Sequence, residues 1–159
     1  MAKKINLITL DHSYVNAEYL DTLNDREYMR FSRNSGKIHT IESQTLFITS
    51  FTTSEDFLYG ACIVSTGEFF GTCSGRVDHS RREVTLGVLI FKAFSGRGLG
   101  QEMTLNLVNL FKKTHPNYKL VIGTHIENKK MQAIARKLGF IEDVKRLNAV
   151  GKNIYFILN

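Results

Sequence analysis

The run Val88-Leu89-Ile90-Phe91, followed by Ser95-Gly96-Arg97-Gly98-Leu99-Gly100-Gln101, decides the fold. The apolar residues close a strand-like segment, residues 82–91. Beyond the glycines, Leu99, Met103, Leu107, Leu110 and Phe111 recur at helical spacing. A strand, closely spaced glycines and a helix start make a phosphate cradle, because backbone N–H groups converge and the helix dipole favours negative charge. The P-loop form requires Gly-Lys-Ser/Thr where Gly98-Leu99-Gly100-Gln101 stands, and the dinucleotide fingerprint requires a glycine at Gln101, so neither applies. A tight turn that merely tolerates glycine is the competing reading.

Working outward, residues 5–10 read as a strand and 13–23 as a helix carrying Val15, Tyr19, Leu20 and Leu23. Thr40 is a good N-cap for a second helix through Ile41, Leu46, Phe47, Ile48 and Phe51. Residues 56–65, 68–77 and 82–91 read as three antiparallel strands, the first two joined by Thr66-Gly67. The long helix must stop before Pro116. Residues 118–125 form a strand, 129–138 a helix stopped by Gly139, and 153–158 a closing strand. This order predicts an α+β fold with a mixed sheet.

With 159 residues, one proline and no linker-like run, residues 1–159 are expected to form a single domain. Hydrophobic residues at 43% and charged residues at 23% exclude disordered and fibrous classes. The net charge of +6 favours an anionic partner. Nucleic acid is not expected, because no basic run is interleaved with aromatics. Cys62 and Cys73 lie in apolar stretches without metal-type spacing and read as buried free thiols, with no metal expected. Met1-Ala2-Lys3-Lys4 has the basic flavour of a leader, but the apolar run after it is too short for one, and no stretch suits a membrane span. A cytoplasmic protein without a membrane partner is the expectation.

From Val88 to Gly100 the chain resembles motif A of the GNAT superfamily of N-acetyltransferases, whose usual form is Gln/Arg-x-x-Gly-x-Gly/Ala after a strand. From Glu127-Asn128 to Lys137-Leu138-Gly139-Phe140 it resembles their motif B, and the element order is similar over nearly the whole chain. Asn24-Asp25 and His39-Thr40-Ile41-Glu42-Ser43 further resemble the branch holding Rim-type and surface-sugar acetyltransferases. The resemblance implies a three-layer α/β/α fold around a mixed, mostly antiparallel sheet, with acetyl-CoA as cosubstrate. It implies that backbone N–H groups of Gly96, Arg97, Gly98, Leu99, Gly100 and Gln101 hold the pyrophosphate, and that Leu89 and Ile90 hold the pantetheine arm. Asn128 would bond that arm, cap the following helix, or both. Ser95 replaces the usual Gln/Arg, Arg97 partly compensates for it, and Lys130 or Lys129 would meet a CoA phosphate.

The resemblance also exposes departures. The tyrosine that many relatives carry seven residues after the motif B Asn is Ala135, and the usual carboxylate positions correspond to Thr85 and Gly123. Glu83, two residues before Thr85 and on the same strand face, and His125 are candidate replacement bases; each also reads as an ordinary polar residue. Arg30 and Arg33 lie in a segment that borders the acceptor pocket in such folds, where they would meet an anionic diphosphate or simply face solvent. The expected activity is acetyl transfer to a primary amine, an amino-sugar nucleotide or another small amine. A protein N-terminus, or a non-catalytic acyl-CoA-binding module, are the alternatives.

Overall fold

The computed structural model describes residues 3–146 and 151–159; Met1 and Ala2 of the basic start lie outside them. The strands are β1 (Ile5–Thr9), β2 (Phe57–Ile63), β3 (Phe69–Asp78), β4 (Glu83–Ile90), β5 (Lys119–His125), β6 (Ile141–Glu142) and β7 (Asn153–Leu158). The helices are α1 (Ala17–Asn24), α2 (Ile41–Ser50), α3 (Leu99–Thr114) and α4 (Lys129–Lys137). All seven strands join one sheet in the order β1-β2-β3-β4-β5-β7-β6. Among the described residues only β4 and β5 run parallel, so the sheet is mixed and mostly antiparallel, as expected.

Local chemistry sets most boundaries. The helix expected over 13–23 is a 3-10 turn, His12–Tyr14, followed by α1, because the Asn16 side chain accepts from Tyr19 N and starts the helix there. Thr40 caps α2 in a reciprocal capping box with Ser43. Arg82 has φ of 52°, a left-handed kink, so β4 begins at Glu83 and not at residue 82. Gly67 has φ of 74° in the β2–β3 link, and Ile63 N donates to Glu68 O at 2.9 Å to close that hairpin. β6 is not among the expected strands: two residues carry no periodicity, and it forms by pairing with β7.

Helices cover both faces. One face packs Val84, Leu86, Leu120, Ile122 and Phe156 against Met103, Leu107 and Phe111 of α3 and Ala135 of α4. The Phe111 ring lies where a side chain at Gly75 would stand, a Cβ there meeting it at 2.3 Å, so this glycine lets α3 settle onto the sheet. On the other face α1 contributes Tyr19 and Leu23 to a cluster with Met29 and Phe91, and α2 packs Ile48 with Leu10 and Val15. Cys62 and Cys73 are free, but only Cys73 is buried as expected, and burial pushes its thiol up to about 12; Cys62 is half-buried.

Candidate active site

The sheet opens at one place. β4 and β5 pair at Glu83 with Lys119, Val84 with Leu120 and Thr85 with Val121, and then part. β3 keeps β4 as far as Ile90, while β7 keeps β5 as far as His125, so a gap widens between the two C-terminal halves. Glu83 and Val84 are buried, whereas residues 87–90 are half-buried beside this gap.

The register also says which backbone groups face it. Arg82 O accepts from Lys119 N on the β5 side, and Phe91 N donates to Phe70 O on the β3 side. Alternation then directs the N–H and C=O groups of Val88 and Ile90 into the gap and those of Leu89 toward β3. Of the two residues the resemblance named for the arm, Ile90 has its backbone free of the ladder and Leu89 offers its side chain. Val88, which the resemblance does not name, is picked out by period-two alternation from Ile90. The Tyr28 hydroxyl donates to Ile90 O at 2.6 Å, and burial raises the Tyr28 phenol.

At the end of β4 the chain is anchored to α1. Thr22 Oγ1 accepts from Lys92 N, Glu18 Oε1 from Ala93 N, both at 2.9 Å, and Lys92 pairs with Asp25. Then come the glycines: Gly96 has φ of 79° and Gly98 φ of 75°, a region other residues enter at a cost. Gly98 is the N-cap of α3 and has no side chain to cap it, so among the described residues no side chain caps the first turn of this 16-residue helix. Ser95, Gly96, Arg97 and Gly98 are exposed, Leu99, Gly100 and Gln101 half-buried, and Arg97 lies over the Phe94 ring at 5.1 Å. Free amides at a helix start beside a glycine turn fit a diphosphate, and unpaired strand groups fit an amide-bearing arm; the cradle suits CoA on both counts.

Across the gap, Asn128 caps α4: its Oδ1 accepts from Met131 N at 3.2 Å, leaving Nδ2 without a partner among the described residues. Lys130 is exposed on the first turn of α4. Carrying the β4–β5 register onward sets Leu89 level with His125 and Gly87 level with Gly123. His125 Nδ1 accepts from Glu127 N at 3.1 Å, and the Phe31 ring stacks on the imidazole at 5.2 Å. The Tyr155 ring lies over Gly123, where a side chain at 123 would stand.

Glu83 is placed differently. Its Oε2 accepts from Arg146 at 2.7 Å, and the Arg146 guanidinium lies over the Tyr155 ring at 5.0 Å. Six residues of strand, about 20 Å, separate Glu83 from Leu89. Glu83 and His125 are thus not brought together. Arg30 bonds Glu27 O at 2.8 Å and lies over Phe31 at 4.5 Å, whereas Arg33 is exposed with no bonded partner among the described residues. Tyr28, Phe31, Arg146 and Tyr155 escaped the sequence reading because no motif or periodicity marks them.

A parted parallel strand pair thus leads into a glycine turn and an uncapped helix start. The family model for the acetyltransferase (GNAT) domain matches residues 5–141, and the chain belongs to this family of acyltransferases. No curated protein matches it in sequence. Among solved structures, an acetyltransferase from Agrobacterium tumefaciens is 17% identical with a TM-score of 0.80, covering 100% of this chain and 92% of its own. The microcin C7 self-immunity acetyltransferase MccE, solved with acetyl-CoA and AMP, is 16% identical with a TM-score of 0.80, covering 99% and 93%. RimL, an α-N-acetyltransferase of ribosomal protein L7/L12 solved with CoA, is 15% identical with a TM-score of 0.81, covering 99% and 94%. At these identities the likeness is one of fold. Among the described residues no helix is long and apolar enough to cross a membrane.

Proposed function

We propose that this chain acetylates the primary amine of a small molecule, with an amino-sugar nucleotide as the first candidate. The observation that supports acetyl transfer is the gap itself: β4 leaves β5 after Thr85, turning the Val88 backbone and the Ile90 N–H into the gap just ahead of an uncapped helix start, while Ile90 O is taken by Tyr28. Acetyl-CoA, when bound, supplies the activated acyl group. Gly96, Arg97, Gly98, Leu99, Gly100 and Gln101 hold its diphosphate by backbone N–H groups, with Ser95 and Lys130 alongside. Val88, Ile90 and the Asn128 amide hold the arm, and a strand N–H in the gap polarises a carbonyl oxygen without needing to reorganise. A neutral amine enters from the α1/α2 face and needs orientation above all. As the C–N bond forms and the thioester C–S bond breaks, its released proton passes through solvent to the CoA thiolate. Arg33 supports an anionic acceptor, since Arg30 is engaged by Glu27 and Phe31.

The test is CoA release measured with acetyl-CoA against UDP- or dTDP-linked amino sugars, simple amines and peptides with free N-termini. Turnover of the sugars, with a Michaelis constant raised by Arg33→Ala, is expected. Turnover of peptides alone would move the acceptor to a protein N-terminus, and CoA binding without any turnover would make this a binding module.

A further inference from the structure

We infer that His125 serves the acceptor as a hydrogen-bond donor through Nε2, reading an oxygen carried beside the amine, and is not the general base; this rests on the acetyl-transfer reading above. The Glu127 N–H donates to Nδ1 at 3.1 Å, so the neutral ring carries its own proton on Nε2; the Glu127 carboxylate also faces Nδ1, but at 3.9 Å its Oε2 is beyond hydrogen-bond reach. A base needs a lone pair facing the substrate, and the ring's lone pair is the one already bonded to the backbone.

The imidazole is held on several sides. Phe31 stacks on it, with Arg30 on Phe31 in turn. His125 O accepts from Asn128 N at 2.9 Å, and the buried Gln132 amide donates to Ile126 O at 2.7 Å, fixing the turn that carries the ring. Nε2 alone has no partner among the described residues. The ring is only about one-fifth exposed.

Its place selects the acceptor over the cofactor. His125 shares a sheet face with Val121 and Gly123, the face over which the α1–α2 segment brings Phe31, whereas α3 and α4 pack on the opposite face with Leu120 and Ile122. A fixed N–H donor, level with Leu89 across the gap, suits a hydroxyl, carbonyl or carboxylate oxygen one or two bonds from the reacting nitrogen. Amino sugars and other 2-amino alcohols have this chemistry; plain alkyl amines lack it. The ring transfers no proton in the reaction. It orients the amine; the nitrogen forms the new C–N bond as the thioester C–S bond breaks, and the proton the amine loses passes through solvent to the CoA thiolate.

Two measurements test this. Nitrogen NMR of the imidazole in the free protein should find Nε2 protonated and Nδ1 bare, a readout independent of acetyl transfer. In kinetics, wild type should prefer ethanolamine-type acceptors over alkyl amines of equal length. His125→Phe, which keeps the stack, should erase that preference by raising KM about tenfold for the amino alcohol only. His125→Gln, which restores an N–H donor, should recover most of it. Both variants should bind CoA as wild type does in calorimetry and keep the same acid limb in the pH–rate profile. An Nδ1-protonated ring, a preference that survives His125→Phe, or an acid limb lost in both variants would overturn the inference.

Discussion

The Tyr28 hydroxyl donates to Ile90 O at 2.6 Å, tying the segment after α1 to the last residue of β4. Tyr28 therefore sits on one of the two strand carbonyls that open into the gap. Tyr28→Phe should cost about 1 kcal/mol in urea unfolding, the usual net worth of one such bond. It also frees Ile90 O, so CoA affinity in calorimetry should stay equal or rise; a large fall would mean that the phenol itself contacts the cofactor.

Gly98 caps α3 with φ of 75°, and a Cβ there would meet nothing within 4 Å. A substitution is thus strained by its backbone and not by collision. Gly98→Val should fold, lose about 1–2 kcal/mol and bind CoA at least tenfold more weakly, because its turn can no longer aim the amides. Undiminished affinity in the folded variant would remove the cofactor from this loop.

Asn128 separates two roles by chemistry. Its Oδ1 caps α4, and its Nδ2 is free among the described residues. Asn128→Asp keeps the cap, so stability should hold, while loss of the amide donor should raise KM for acetyl-CoA. Asn128→Ala should do both, costing about 1 kcal/mol as well. Equal KM values in wild type and Asn128→Asp would confine the residue to capping.

Glu83 and Arg146 form an ion pair at 2.7 Å with both side chains largely covered. Arg146→Met leaves a covered carboxylate without its partner and should cost about 2–3 kcal/mol, below the range for fully buried pairs because some solvent reaches this one. Glu83→Gln in the Arg146→Met background should restore part of it. Glu83→Gln alone should keep turnover within about threefold, since Arg146 and not a substrate occupies the carboxylate. A loss of a hundredfold or more, with the acid limb gone, would make Glu83 the base.

Tyr19 is buried, and burial is the main cause that pushes its phenol up to about 12. Between pH 10 and 12 the native chain keeps a proton that the unfolded chain has lost, so stability must fall as pH rises. The slope is about 1.4 kcal/mol per pH unit per such group. Cys73, also pushed up to about 12, adds to the decline from pH 9. Urea melts across this window should show a shallower decline in Tyr19→Phe than in wild type. Equal slopes would place the alkaline loss in other groups.

What the sequence determined by itself is whatever neighbouring residues settle. Thr40 and Ser43 close a capping box three residues apart, and Gly139 with φ of 90° ends α4. The Gly96–Gly98 turn and the apolar spacing of α3 were equally plain, and two motifs in order carried the family. Asn16 and the left-handed Arg82 shifted element ends by local chemistry that apolar periodicity does not register. What only the tertiary structure decided is what distant residues do to one another. Tyr28 meets Ile90 across 62 positions and Arg146 meets Glu83 across 63, and no spacing in one sequence encodes either pair. The parting of β4 from β5 is likewise invisible along the chain, because it shows only where their mutual pairing stops at Thr85 while β3 keeps β4 and β7 keeps β5. His125 shows the difference within one residue. Its place at the end of β5 follows from the strand pattern, but whether it offers a lone pair or an N–H depends on the Glu127 amide, which only the turn of the folded backbone brings to Nδ1.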